Sequence, residues 1–503
     1  MIRSVSSRRV SAVSVATGMD RRIWLMIGAI GLFAVLVAKE IAIPSAILGL
    51  LAGIGLLGLF MLGVQSPEIP LYMLVAYLPF SRKLVGDFGT MALAFNLTNI
   101  LTVWVLLAYA LKRLSQHQPL FQGTPLNRVI WLFCLLGAAS LIRAGWEYGS
   151  WYFWQLLIPL KRWVSPIFFY FLTLWVVRDR RTFKGVAVLI MVVTTAVALM
   201  AIREYSHVAD SSFEKSRVGG IAEHSNTLGA FFVYYMFLFL GFFLTMPSQI
   251  KSWLLLIPFA LCFRGIMVTF SRGAYLGFAA AGATACWFKS RWLFLVMVAL
   301  ALFAVANPIL LPSGIRYRMG HTMKTGHSIE DEDLEQNLEK SAATRLDIWK
   351  GAVQIIKEHP LWGVGYGAFP AYIPHYVERR IGEMDAHNSY LLIAAEMGIP
   401  TLVVFFMVLV MMVYYTHWLY RHTDDPTLKS VALGFLAGLG GLCVTNMFGS
   451  RMDAQEVSGY FWILGGLVMR GVLMVREELR QGRVAVVKAR HLRRASTPGT
   501  STA

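Results

Sequence analysis

Charge is scarce in this chain. Only 15% of its 503 residues are Asp, Glu, Lys or Arg, against roughly 25% in an ordinary soluble domain. A soluble chain of this length would form three or four domains joined by polar linkers, and this composition excludes that. Cysteine is rare as well. The four present, Cys134, Cys262, Cys286 and Cys443, lie inside apolar runs without CxxC or metal-like spacing. They read as small buried apolar residues, which excludes a disulfide-stapled secreted domain. A convincing internal repeat is also missing, which argues against a transporter built from inverted halves.

What the chain has in quantity is apolar sequence. Hydrophobic residues make up 57%, mean hydropathy is +0.59, and disorder is thereby excluded. Apolar runs recur from residue 23 to residue 475. A helix rises about 1.5 Å per residue, so about 20 apolar residues cross a bilayer core. The runs place spans at 23–38, 41–64, 68–80, 96–111, 127–144, 156–177, 184–203, 226–246, 252–270, 273–288, 292–311, 389–416, 430–448 and 457–475. The expected fold is an all-α polytopic membrane protein with about 12–14 transmembrane helices. A basic segment (1–22) precedes the first block of spans (23–311), a long loop (312–388) separates it from the second (389–475), and a basic tail (476–503) follows.

The net charge is +18, and its placement sets an orientation. Arg3, Arg8, Arg9, Arg21 and Arg22 oppose only Asp20 at the N-terminus. Arg476, Arg480, Arg483, Lys488, Arg490, Arg493 and Arg494 oppose Glu477 and Glu478 in the tail. Beside membrane spans this reflects the positive-inside rule and attraction to anionic lipid rather than nucleic-acid binding. Both termini are then cytoplasmic and the span number even. The short basic loops 112–118, 178–184, 289–291 and the segment at Arg421 share that side. Loops 81–90, 143–151, 203–226, 312–388 and 449–458 face outward.

Loop 312–388 spans about 77 residues, far beyond the two to eight typical between helices. Within it, Leu346, Trp349, Val353 and Ile356 recur at helical spacing over Ser341–His359, and Pro360 stops the helix. Glu330–Glu339 is an acidic, solvated run. Gly363, Gly365 and Gly367 lack any βαβ context and read as a turn packing the loop onto the membrane face. The tryptophans 146, 151, 154 and 163 read as an interfacial belt, with a sugar-stacking platform as the alternative.

Charge at membrane depth is costly and usually functional. Arg264 lies inside a span, where it either serves a site or snorkels to the interface. Arg272 stands at the mouth between two spans, followed by Gly273, which lets a ligand approach the backbone. Arg217, Arg272 and Arg345 are outward cations whose planar forks suit phosphate oxygens. They either share an anion site or contact headgroups and acidic loop residues separately. His387 opens a strong span, with Asp385 or Asn388 as cap. A helix N-terminus disfavours imidazolium, so His387 is either a neutral base or a capping residue. Glu396 falls roughly 13 Å along that helix and nearly on its opposite side, a poor partner for His387.

Ser271-Arg-Gly273, Arg345-Leu-Asp-Ile-Trp349, Gly363-Val-Gly-Tyr-Gly367, His387-Asn-Ser-Tyr-Leu391 and Glu396-Met-Gly-Ile-Pro400 occur in that order. Together they resemble the bacterial O-antigen ligase/polymerase family over about residues 215–415. The resemblance implies an inner-membrane glycosyltransferase with a periplasmic active site and neither metal nor cofactor. It would move a glycan from undecaprenyl diphosphate to an acceptor hydroxyl, on lipid A core in a ligase or on a growing glycan in a polymerase. It assigns Arg217, Arg272 and Arg345 to the diphosphate and His387 to the base, with Arg264, Asn388 and Gly273 in support. Fourteen spans would exceed the ligases' usual twelve and lean towards a polymerase. The competing class is a lipid-linked oligosaccharide flippase or an export-complex subunit.

Overall fold

The computed structural model describes residues 57–82, 96–208, 217–307, 332–377 and 385–495, apart from single positions. The chain divides into two compact units, Met1–Met61 and Leu62–Ala503, and the second is described here. The N-terminal segment and the first two drawn spans lie outside the described residues, save for the end of the second span.

Each of the twelve spans drawn from residue 68 onward is helical. In chain order the helices are α1 (Glu68–Tyr77), α2 (Leu97–Ser115), α3 (Pro125–Tyr148), α4 (Ser150–Val176), α5 (Arg180–Val208), α6 (Ser225–Tyr235) and α7 (Phe237–Thr245). They continue with α8 (Leu256–Thr269), α9 (Arg272–Lys289), α10 (Arg291–Ala306), α11 (Glu332–Glu358), α12 (Ser389–His422), α13 (Pro426–Thr445) and α14 (Gln455–Ala495). Among the described residues eight helical segments are long and apolar enough to cross a membrane. The other four spans drawn from residue 68 onward are helices too, shorter or less apolar. The protein is an all-α multi-pass membrane protein.

Local chemistry sets the helix ends. Asn96 caps α2 by accepting the Asn99 N–H at 2.8 Å. Asp425 caps α13 through the Thr427 and Leu428 N–H groups at 2.8 and 2.9 Å, with Pro426 at the first helical position. In the interior α13 is the hub, packed on α6, α7, α9 and α12. Its glycines make that possible. A methyl at Gly434 would stand 2.6 Å from the Leu238 Cα, and one at Gly438 would collide with the Tyr234 carbonyl. Small residues let helix backbones approach where apolar lipid gives no hydrophobic drive to associate.

The long loop folds onto one end of the bundle through a break in α12. Pro400 cannot supply an N–H to the Glu396 carbonyl, and its ring would clash with that oxygen in a regular helix. Gly398 opens the chain there at φ 84°. The released acceptors are used by the loop. Val364 N–H donates to the Ala395 carbonyl at 2.8 Å and Gly365 N–H to the Glu396 carbonyl at 2.9 Å. The Ser140 hydroxyl also donates to the Glu396 carbonyl, at 2.9 Å. Gly363, Gly365 and Gly367 all have positive φ, 64°, 108° and 75°, which lets this turn enter the break. A small second core forms around it from Ile348, Ala352, Ile355, Val364, Phe369 and Ile373.

One face assignment needs correction. Leu346 and Val353 of the expected apolar stripe are 56% and 40% exposed, while Ile348, Ala352 and Ile355 are the buried face of α11. Both stripes have helical spacing. Gly351 decides between them, since Ile373 and Tyr376 occupy the space beside its Cα and draw the isoleucine face inward.

The connecting segments sort into two ends, as the charge bias predicts. At one end Arg180 pairs with Asp425 and Glu478, Arg178 reaches the Tyr109 hydroxyl at 3.2 Å, and Arg470 reaches Gln122 at 2.5 Å. At the other, Arg82 pairs with Glu223 at 2.9 Å and Glu456 at 3.4 Å. There Arg143 donates to the Gly363 carbonyl, and Ser450 donates to Asp385 at 2.8 Å.

Candidate active site

Three helix N-termini meet at the second end. Those of α6 and α9 abut: a Cβ built on Gly229 would lie 2.8 Å from the Ala274 Cβ and 3.4 Å from the Ser271 Cβ. The α12 N-terminus joins through Ser389, whose hydroxyl contacts the Asn446 side chain at 2.8 Å and the Gly449 carbonyl at 3.0 Å. Asn446 in turn donates to the Tyr234 hydroxyl of α6 at 3.2 Å. Each N-terminus presents the positive end of a helix dipole, so the junction favours an anion.

The arginines reinforce that field. Arg217 donates to the Thr269 carbonyl at the end of α8 (3.3 Å) and to Asn226 in the first turn of α6 (3.0 Å). Arg272 is the first residue of α9, directly after its cap Ser271, which accepts the Ala274 N–H at 3.4 Å. Arg345 lies on α11 one turn before Trp349. Trp349 donates from its indole to the Ala386 carbonyl at 3.0 Å and lies 6.4 Å, centroid to centroid, from Phe448. Phe448 also borders Gly273, where an added Cβ would stand 3.1 Å away. Gly273 and Trp349 both approach Phe448, so the segments that carry Arg272 and Arg345 lie near one another, and Arg217 reaches the first turn of α6 at the same end.

His387 enters the mouth from the segment before α12, in the left-handed region at φ 48°. Its Nδ1 lies 3.4 Å from an Asp385 oxygen, and the other Asp385 oxygen accepts the Ser450 hydroxyl. The imidazole is 21% exposed. Asp385 thus faces the Nδ1 side of the ring. Of the two cap candidates, Asn388 is the cap, accepting the Tyr390 and Leu391 N–H groups at 2.9 and 3.2 Å. That leaves Asp385 to orient the ring.

Several expected residues stand elsewhere. Arg264 lies 5.4 Å over the Tyr205 ring on the α5 side and joins none of the contacts that build the mouth. Glu396 is buried and accepts the Phe369 N–H at 3.3 Å, serving the loop fold. Trp146, Trp151 and Trp154 project outward as a belt residue would, but Trp163 is buried against Phe133 and Tyr366.

The sequence reading passed over Arg451. It lies in the loop between α13 and α14 and donates to the Thr227 hydroxyl at 3.1 Å and the Phe448 carbonyl at 3.4 Å. Burial pushes its guanidinium below the ordinary value. Asp385 and Tyr234 oppose that shift and the charge of Arg345 adds to it. Its local sequence did not single it out, since Arg82, Lys83 and Arg143 are also cations in short outward loops.

Residues 257–406 match the O-antigen ligase family model. The O-antigen ligase resemblance holds. The matched stretch runs from α8 to the middle of α12 and contains Arg272, Arg345, the glycine turn and His387, while Arg217 and Arg451 lie outside it. No curated protein matches the chain. The match supports a ligase- or polymerase-type function in polysaccharide biosynthesis.

Proposed function

We propose that the protein moves a glycan from undecaprenyl diphosphate to an acceptor hydroxyl on the periplasmic face of the inner membrane, without a metal ion. The observation that supports this reading is the His387–Asp385 pair at 3.4 Å, at the same end of the bundle as Arg217, Arg272 and Arg345. The compartment follows from the basic loops at the opposite end.

The chemistry asks little more than these residues offer. A lipid diphosphate is already a good leaving group. Fixed guanidinium charges and helix N-termini stabilise the charge that develops on it as the anomeric bond breaks. The acceptor hydroxyl attacks the anomeric carbon from the opposite side, inverting it, and gives its proton to His387 Nε2. Asp385 holds the ring and stabilises the imidazolium that forms, as a triad carboxylate does. General-base help of this kind contributes about 10²- to 10⁴-fold in rate.

Glycan display in a null strain tests the reading. Lipid A-linked and undecaprenyl-linked glycans are resolved separately, with wild type or His387→Ala supplied. Loss of long glycan from lipid A, with long carrier-linked chains retained, identifies a ligase. Loss of chain length, with single repeats left on the carrier, identifies a polymerase. If His387→Ala matches wild type in both fractions while the null does not, the transfer reading fails and the flippase or export reading replaces it.

A further inference from the structure

We propose that Arg451 is a fourth ligand of the anionic leaving group, closing on the diphosphate from the α13–α14 loop opposite Arg217. The inference rests on the transfer reading and extends it to a residue outside the family match.

Arg217 and Arg451 grip consecutive residues, Asn226 and Thr227, in the first turn of α6. Two guanidiniums drawn to one helix N-terminus repel each other and oppose the dipole that surrounds them. Arg345 adds a third positive charge close enough to act on Arg451. Among the described residues no carboxylate lies within ion-pair distance of Arg451. Its two side-chain hydrogen bonds go to neutral oxygens and use two of its five N–H donors. An anion resting between Arg451, Arg217 and the α6 N-terminus places negative charge next to a guanidinium that Asp385 offsets only from beyond ion-pair distance. The same loop carries Ser450, which braces Asp385 behind His387, so the grip on the leaving group and the orientation of the base share one short segment.

The test uses the purified full-length chain in detergent and two probes, undecaprenyl diphosphate and uncharged undecaprenol. Arg451→Gln is expected to weaken diphosphate binding about 10- to 100-fold, the scale of losing one or two charge-assisted hydrogen bonds, and to leave undecaprenol binding unchanged. Arg451→Lys keeps the charge but loses the fork, and serves where the Gln variant does not elute as a folded monodisperse species. It should lose three- to ten-fold, roughly half the effect on a logarithmic scale. Wild-type diphosphate affinity in Arg451→Lys, or equal losses for both probes in Arg451→Gln, would overturn the assignment. Arg272→Gln is measured alongside. If Arg272→Gln weakens diphosphate binding and neither Arg451 variant does, the Arg451 inference fails and the transfer reading stands. If wild type binds both probes equally, the transfer reading itself fails.

Discussion

At the residue scale, the site is a set of side chains whose roles follow from their neighbours. His387 is distinguished from a surface histidine by Asp385, and Asp385 from a cap by Ser450. His387 and the three arginines stood out in the sequence as candidates because charge beside apolar spans is rare enough to notice. The orienting role of Asp385 was not legible, since Asn388 and Asp385 are equivalent cap candidates until the hydrogen bonds are seen. Arg451 was illegible for a similar reason: its importance lies in a contact with Thr227, 224 positions earlier. Two outcomes are expected. Asp385→Asn keeps the fold but loses the fixed imidazole tautomer, lowering kcat by about 10²-fold or more with little change in KM. Arg272→Gln raises the donor KM and lowers kcat/KM by about 10- to 100-fold, a loss of one charge-assisted contact. Steady-state transfer kinetics on the purified variants check both.

At the element scale, the break in α12 places the long loop. The Gly-x-Gly-x-Gly turn and the Gly-Ile-Pro segment are some 30 residues apart, and each looked like an ordinary turn or kink in the sequence. Only together do they explain each other: Pro400 releases the Glu396 carbonyl and the glycine turn donates to it. Helix existence was readable from hydrophobic runs, and all twelve later spans are helices. The buried face of α11 was not, because two apolar stripes compete and tertiary packing beside Gly351 chooses between them. Gly398→Ala should be strongly destabilising. The added methyl forces a strained φ and meets the Leu361 carbonyl carbon 2.5 Å away. The cost is about 2 kcal/mol or more, and a thermal melt in detergent should show a clearly lowered Tm. Gly365→Ala, at φ 108° against the Ala144 Cβ, should behave alike. Surface changes such as Gln354→Ala should leave the Tm within about 1 °C.

At the scale of the whole molecule, the loops that the charge bias assigned to one side meet at one end, and those assigned to the other meet at the opposite end. The bias works because it is written locally, in short loops, and needs no knowledge of packing. What it cannot encode is the convergence of α6, α9 and α12 on a single mouth, which depends on the close approaches through the α13 glycines. Sidedness gives a direct prediction. In a background without native cysteines, His224→Cys should react in whole cells with a membrane-impermeant maleimide added outside. Asp424→Cys, near the Arg180 cluster, should react only after the membrane is opened. Labelling of both from outside would overturn the topology.

The central claim is that this mouth transfers a glycan from a lipid diphosphate by base catalysis at His387. The most direct measurement is transfer by the purified protein, reconstituted in liposomes with an undecaprenyl diphosphate-linked glycan, a matching acceptor and a chelator. Wild type should form product in the presence of chelator, with the anomeric centre inverted. His387→Ala should still bind donor but form product about 10²- to 10⁴-fold more slowly. Undiminished turnover by His387→Ala, or wild-type activity abolished by the chelator and restored by a metal ion, would contradict the account.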